Sequence, residues 1–354
     1  MTAARTSTRG LWRHQAGTTP AARSDARPLP PGECEVDESR VPRSGWGRRL
    51  KGGLVALCVS GVAFGPGSAF SAAPAQASTG STGAAVNVVE APVQTAQTSL
   101  GLVGYREVGR GSPVVLIMGF GGTMDDWAPS FVDALAAGHR VVLLDNAGIG
   151  RTAALDRPLT IAAMANQVSA LITSLGLGRP AVLGWSMGGM IAQALAVLHP
   201  SQVGRLVLAA TQAGNGDATP PSAAVAAAAG STNPAAVLSV LFPPGQKSAA
   251  ITYIDGILQY PGYYAAPPAV KAAQTVAITE WFAGLDAPGR AVADLRLPTL
   301  VADGTLDALD PVANDRQLAG MIHGARLVLY AGAGHAFLFQ DANQFVPRVE
   351  AFLG

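Results

Sequence analysis

Six short runs in this chain are apolar on both faces, and no other feature limits the fold as tightly. They read VVLIM (114–118), VVLLD (141–145), AVLGW (181–185), RLVLAA (205–210), PTLVAD (298–303) and ARLVLY (325–330). A strand with one face in water alternates apolar and polar residues. These runs do not alternate, so they are expected to be buried on both sides, in a largely parallel sheet covered by helices. Helical stretches lie between them. Over Thr160 to Leu175, Ile161, Met164, Val168, Leu171 and Ile172 fall on one stripe, with Thr160 as the start signal. Met187 to Leu198 is apolar nearly all round, as suits a helix pressed against a sheet. Alternating strands and helices predict an α/β fold, a mostly parallel sheet with helices on both faces.

The alternation stops between about residues 211 and 295. That segment opens with GNGDATPP, passes through AAVAAAAGS, and then carries Leu241, Phe242, Tyr253, Tyr260, Tyr263, Tyr264, Trp281 and Phe282. It reads as a helical insertion over residues 212–294, between core segments 78–211 and 295–354. An insertion after a strand lies over the carboxyl end of the sheet, where open α/β sheets bind ligands. The expectation is a lid with an apolar, aromatic lining. The alternative is an ordinary helical subdomain whose aromatics fill its own core.

Residues 1–50 are rich in Arg, Pro, Ser and Gly without a sustained apolar period, a composition expected to stay disordered. After Arg48, Arg49 and Lys51 comes an apolar run from Leu54 to Phe70, then small residues at Ala75 and Ala77. This order predicts a secretory signal peptide cleaved after Ala77, and hence an extracellular destination. The run is shorter than the roughly 20 apolar residues of a spanning helix, and Gly65-Pro66-Gly67 breaks it. A membrane anchor over residues 54–70 is the alternative, and Arg48-Arg49 leaves twin-arginine export open. Cleavage would remove both Cys34 and Cys58 and leave 14 basic against 18 acidic side chains, a net charge of about −4. No basic patch survives, which argues against nucleic acid as a partner.

Chemistry concentrates around LGWSMGGM (183–190). Ser186 follows one apolar run and precedes a helix, with Gly184, Gly188 and Gly189 leaving room for a sharp turn. A serine hydroxyl is a weak nucleophile and needs a base, which in turn needs an orienting acid. Both are found after later strands. His335 lies in AGAGHAF beyond the last run, whereas His14, His139, His199 and His323 lie in the N-terminal tail or beside element ends. The acid comes from the end of PTLVAD or from GTLDALDP after it, with Asp307 preferred, Asp310 second and Asp303 third. An oxyanion formed at Ser186 needs two donors. The backbone N–H of Met187 is one, and that of Phe120, in the glycine-rich MGFGGTMDDW, is the other.

These residues resemble the α/β-hydrolase superfamily, in particular its lid-bearing serine esterase and cofactor-free haloperoxidase-like branch. The likeness runs in order through MGFGG, DNAGIGRT (145–152), GWSMGG, GTLDALDP and GAGHAF, most of the chain from about residue 100. One departure is Met118, where the family usually has histidine before the oxyanion-loop glycine. The resemblance implies a secreted serine hydrolase cleaving a carboxylic ester with a hydrophobic acyl or alcohol group, without cofactor or metal. The substrate is a small molecule, with Trp185, Trp127, Phe242, Tyr264, Trp281 and Phe337 as expected pocket residues. Perhydrolase or haloperoxidase chemistry is the alternative. An aminopeptidase-like amidase using Asp255 or Glu280, and a non-catalytic binding protein on the same fold, are further ones.

Overall fold

The computed structural model describes residues 87–354. The expected leader over residues 1–77, including both cysteines, lies outside the described residues. The core is an eight-stranded sheet: β1 (Gln94–Thr98), β2 (Gly101–Gly109), β3 (Ser112–Ile117), β4 (His139–Leu144), β5 (Ala181–Trp185), β6 (Arg205–Ala209), β7 (Thr299–Gly304) and β8 (Arg326–Tyr330). Their order across the sheet is β1-β2-β4-β3-β5-β6-β7-β8. Strand β2 runs antiparallel to both neighbours, and every pair from β4 to β8 is parallel.

All six apolar runs are strands of this sheet. The first two strands were not among them. β1 is an edge strand, QTAQT, with its burial confined to Ala96 and Thr98. β2 carries Arg106 and Glu107 through its middle, and only part of it is buried. Strands wetted on one face give a weaker apolar signal than those covered twice.

Helices α1 (Pro129–Ala136), α2 (Ile161–Ser174) and α3 (Met187–Leu198) follow β3, β4 and β5. Helix α2 starts where its N-cap sits, because Thr160 Oγ1 accepts the Ala163 N–H at 3.0 Å. Helix α3 buries ten of its twelve residues, which fits its all-round apolar sequence. The principal core joins β3, β5 and β6 to α2 and α3 through Val115, Ile117, Val182, Leu171, Ile191 and Leu208. Each such fully buried side chain contributes roughly 1.5–3 kcal/mol.

Between β6 and β7 the chain forms α4 (Ala223–Ala229), α5 (Pro234–Leu241), α6 (Lys247–Ile257), α7 (Pro268–Phe282) and the short α8 (Ala287–Arg290). Helix α9 (Val312–Met321) then separates β7 from β8, and α10 (Phe337–Gln340) and α11 (Ala342–Leu353) close the chain. Among the described residues, no helix is long and apolar enough to cross a membrane.

Candidate active site

The turn from β5 into α3 holds Ser186 at φ 58° and ψ −123°, a conformation that non-glycine residues seldom adopt. Two backbone bonds enforce it: Ser186 N–H donates to Ala209 O at 2.9 Å, and Gly189 N–H donates to Ser186 O at 2.8 Å. The flanking glycines are needed for close approach. A Cβ on Gly184 would lie 2.2 Å from Gly188 O, and one on Gly188 would lie 2.0 Å from Ile117 O. The strain is thus over-determined by packing, as expected where a side chain must be presented rather than buried. Ser186 itself remains partly exposed.

His335 reaches this turn from the loop after β8. Its Nδ1 lies 2.6 Å from Asp307 Oδ2, and both residues are buried. The other Asp307 oxygen accepts the N–H groups of Leu309 (2.7 Å) and Asp310 (2.9 Å). An ionised carboxylate can only accept, so Nδ1 carries the proton in this bond and Nε2 keeps its lone pair. Trp185, adjacent to Ser186, donates its Nε1–H to His335 O at 2.9 Å. Of the three candidate acids, Asp307 is the one in contact with His335.

Asp303, Asp310 and Asp315 lie next to this pair, with oxygens within 4.8 Å of one another. They form the one described cluster with a donor set suited to a metal ion. Burial raises all three, and repulsion from Asp307 and from one another adds to it; Asp310 is pushed up to about 7, and Asp303 and Asp315 are held well above the usual carboxylate range. Asp303 Oδ2 and both Asp315 oxygens have no donor among the described residues. A proton on either carboxyl gives the other a hydrogen bond, so burial favours the protonated form in this cluster.

The loop after β3 brings Gly119 against the nucleophile turn, where a Cβ on Gly119 would sit 3.1 Å from Ser186 Cβ. Gly122 N–H closes a turn onto Gly119 O at 3.3 Å, and Asn146 Nδ2 holds Met118 O at 2.9 Å. That asparagine secures the strand end where a histidine was expected and Met118 stands. Neither the Phe120 nor the Met187 amide has an acceptor among the described residues, so both N–H groups are available to a substrate oxygen.

Helices α5 to α7 touch both loops. Leu241 O accepts the Ala336 N–H beside His335 at 3.0 Å. Tyr253 and Tyr260 donate to Asp126 O and Trp127 O, both at 3.0 Å, and Tyr263 donates to Asp126 Oδ1 at 2.7 Å. Tyr264 donates to Asp145 Oδ2. Desolvation pushes Asp145 up to about 6, against the lowering effect of this bond and of the Met124 N–H. Four phenol groups thus dock the insertion on the core.

Several expected pocket residues are packing residues instead. Trp127 is fully buried, with its ring against Phe131, Trp185 and Phe339. Phe337 is likewise buried against Tyr330 and Phe345. Trp281 is buried with its Nε1–H on Gln212 O at 3.1 Å. Large aromatic area stabilises most when fully covered, and these three are covered by the core rather than by an open lining. Phe242 packs on Tyr253, Trp185 lies beside His335, and Tyr264 stays partly exposed at the Asp145 loop.

A family model for the alpha/beta hydrolase fold matches residues 112–234. A putative carbamate hydrolase RutD from Caulobacter sp. is 30% identical over 68% of this chain and 90% of its own length. The chain belongs to the α/β-hydrolase family. Two other relatives match over shorter shares of their length. The polyketide synthase ThaQ of Burkholderia thailandensis is 33% identical over 69% of this chain but only 12% of its own. The putative non-heme bromoperoxidase BpoC of Mycobacterium tuberculosis is 43% identical over 30% of this chain and 41% of its own. Among solved structures, an alpha/beta hydrolase fold protein from Chitinophaga pinensis superposes with TM-score 0.66 at 25% identity, covering 75% of this chain and 98% of that one.

Sequence reasoning missed three features of this α/β-hydrolase site. Arg106 and Asp125 form a buried two-point ion pair at 2.8 and 3.1 Å under the loop after β3, with the guanidinium over the Tyr260 ring. Asp145 anchors Met124 N–H at 2.8 Å. Gln274, on α7, bonds the Gly121 N–H at 2.8 Å. Lone polar residues in apolar surroundings were the available signal, but their partners lie from 19 to 153 positions away.

Proposed function

We propose that this α/β-hydrolase is a serine hydrolase cleaving a carboxylic ester through an acyl-enzyme on Ser186. The observation that carries this reading is the Asp307–His335 pair at 2.6 Å, fixed by Trp185 beside a strained, partly exposed serine. His335 Nε2 takes the Ser186 proton as Oγ attacks the ester carbonyl carbon, and Asp307 stabilises the imidazolium that forms. The Phe120 and Met187 N–H groups hold the oxyanion. Collapse of the tetrahedral intermediate expels the alcohol, which takes the proton from His335. Water, activated by the same histidine, then attacks the acyl carbonyl and frees the acid and Ser186. The helices between β6 and β7 act as a roof over the site, and a hydrophobic acyl or alcohol group suits their composition.

The test is fluorophosphonate labelling together with a p-nitrophenyl ester series of rising chain length. The expected result is a covalent adduct at Ser186 and turnover abolished in Ser186→Ala. A folded protein that gains no adduct overturns the reading. The bromoperoxidase relative supports a second reading, in which peroxide replaces water at the acyl-enzyme to form a peracid. Partitioning between water and peroxide separates the two. The segment over residues 48–77 is proposed as an export signal, checked by N-terminal sequencing of protein recovered from culture medium.

A further inference from the structure

One roof side chain bonds a backbone amide of the glycine turn that begins the oxyanion loop. Gln274 is fully buried on α7, and its Oε1 accepts the Gly121 N–H at 2.8 Å across 153 positions of sequence. Gly121 is the third residue of the turn closed by Gly122 N–H on Gly119 O, and its φ is +65°. In a four-residue turn the central peptide has no partner within the turn itself and can rotate. Here that peptide joins Phe120 to Gly121, and the glutamine carbonyl fixes its orientation. The Phe120 N–H belongs to the preceding peptide, whose Gly119 O accepts the Gly122 N–H, so Gln274 acts on it by holding the turn that presents it. One turn earlier on α7, Lys271 lies over the Phe120 ring, its Nζ 5.7 Å from the centroid. Helix α7 therefore grips both residues of the central peptide.

Gln274 is costly as a packing residue. Its Nε2 has no acceptor among the described residues, and a buried donor left unpaired is destabilising. An amide kept here at that cost is accounted for by its bond to the loop.

We propose that Gln274 is a positioning residue, which couples the seating of α7 to the aim of the Phe120 N–H at the developing oxyanion. The inference rests on the serine-hydrolase reading above. It implies that kcat depends on a roof side chain that touches neither Ser186 nor His335.

The experiment compares wild type with Gln274→Met, and with Gln274→Leu should the methionine variant not fold. Expected results are a kcat reduced at least about tenfold, short of the 10²–10³ seen when an oxyanion donor is deleted outright, with KM little changed. Binding of a trifluoromethyl ketone, whose serine adduct carries a tetrahedral oxyanion, should weaken by the same factor as kcat. The melting temperature should change little, because removing the unpaired Nε2 offsets removing the acceptor of the Gly121 N–H, and the Gly121 amide should lose protection from hydrogen exchange. Wild-type kcat in the folded variant, or a fall in kcat that only follows a fall in melting temperature, overturns the proposal. If wild type neither hydrolyses esters nor labels at Ser186, the serine-hydrolase reading fails and this inference falls with it. If wild type does both and Gln274→Met is equally active, only the inference fails.

Discussion

Trp185 and His335 are joined through the indole, whose Nε1–H donates to the His335 carbonyl oxygen at 2.9 Å while the two rings lie 5.5 Å apart. Because Trp185 adjoins Ser186, the residue before the proposed nucleophile holds the loop of the proposed base. Replacing Trp185 by Phe keeps a ring but leaves a buried carbonyl without its donor, at a cost of about 1–3 kcal/mol. The expected outcome is a lower kcat with a modest fall in melting temperature. Steady-state kinetics and a thermal melt check it, and an unchanged kcat would separate the indole bond from catalysis.

Asp307→Asn should leave the fold intact and lower kcat by about 10³–10⁴, because the amide can turn its NH₂ toward Nδ1 and favour the wrong imidazole tautomer. Asp310 Oδ1 accepts from Asn314, whereas His335 bonds Asp307, so Asp310→Asn should lower kcat far less. Measuring both variants on one ester separates the two aspartates. A larger loss at Asp310 would move the triad acid.

The buried acids set the sign of the pH response. Asp310 is raised to about 7 and Asp145 to about 6, both above their unfolded values. The folded state therefore binds more protons than the unfolded chain across this range. Stability from these groups is fully present below the unfolded carboxyl pKa and is lost as pH rises toward 7. Denaturant unfolding at pH 5, 6, 7 and 8 should show stability declining, with a shallower decline in Asp310→Asn, which has no proton to lose there. Parallel profiles for the two proteins would contradict this.

Gly188→Ala tests the elbow. Its methyl group would lie 2.0 Å from Ile117 O, backbone at the end of the central strand β3. Helix α3 has to move off that strand or the turn has to reorganise, so the variant should lose more than about 3 kcal/mol or fail to fold. Circular dichroism melts report the loss. A stable variant with full activity would mean that the turn is less tightly held than this geometry implies.

The chemistry-bearing loops were legible because each follows a strand with a strong local signal. AVLGW, PTLVAD and ARLVLY placed Ser186, the Asp307 loop and His335 at one edge of one sheet, since parallel strands bring their carboxyl ends together. The choice among Asp303, Asp307 and Asp310 was not legible in the same way. All three fall within eight residues, at the end of β7 and in the loop that follows it. Only the path of that loop past the His335 ring gives Asp307 the 2.6 Å contact and leaves the others to a proton-sharing cluster.

The aromatics of the insertion show the same division. Their number signalled a helical segment with much apolar surface to bury, and helices α4 to α8 occupy that stretch. Composition could not say which way the rings face. The structure turns four tyrosine hydroxyls onto Asp126, Trp127 and Asp145, and covers Trp281 entirely. By itself the sequence determined the α/β class, the parallel strands and the positions of Ser186 and His335, because periodicity and turn chemistry are local. Tertiary structure alone decided which acid meets the histidine, which aromatics are covered, and that Gln274 reaches Gly121. Those are contacts between segments up to 153 residues apart, and a hydrogen bond is set by where two chain segments meet in space, which no local pattern encodes.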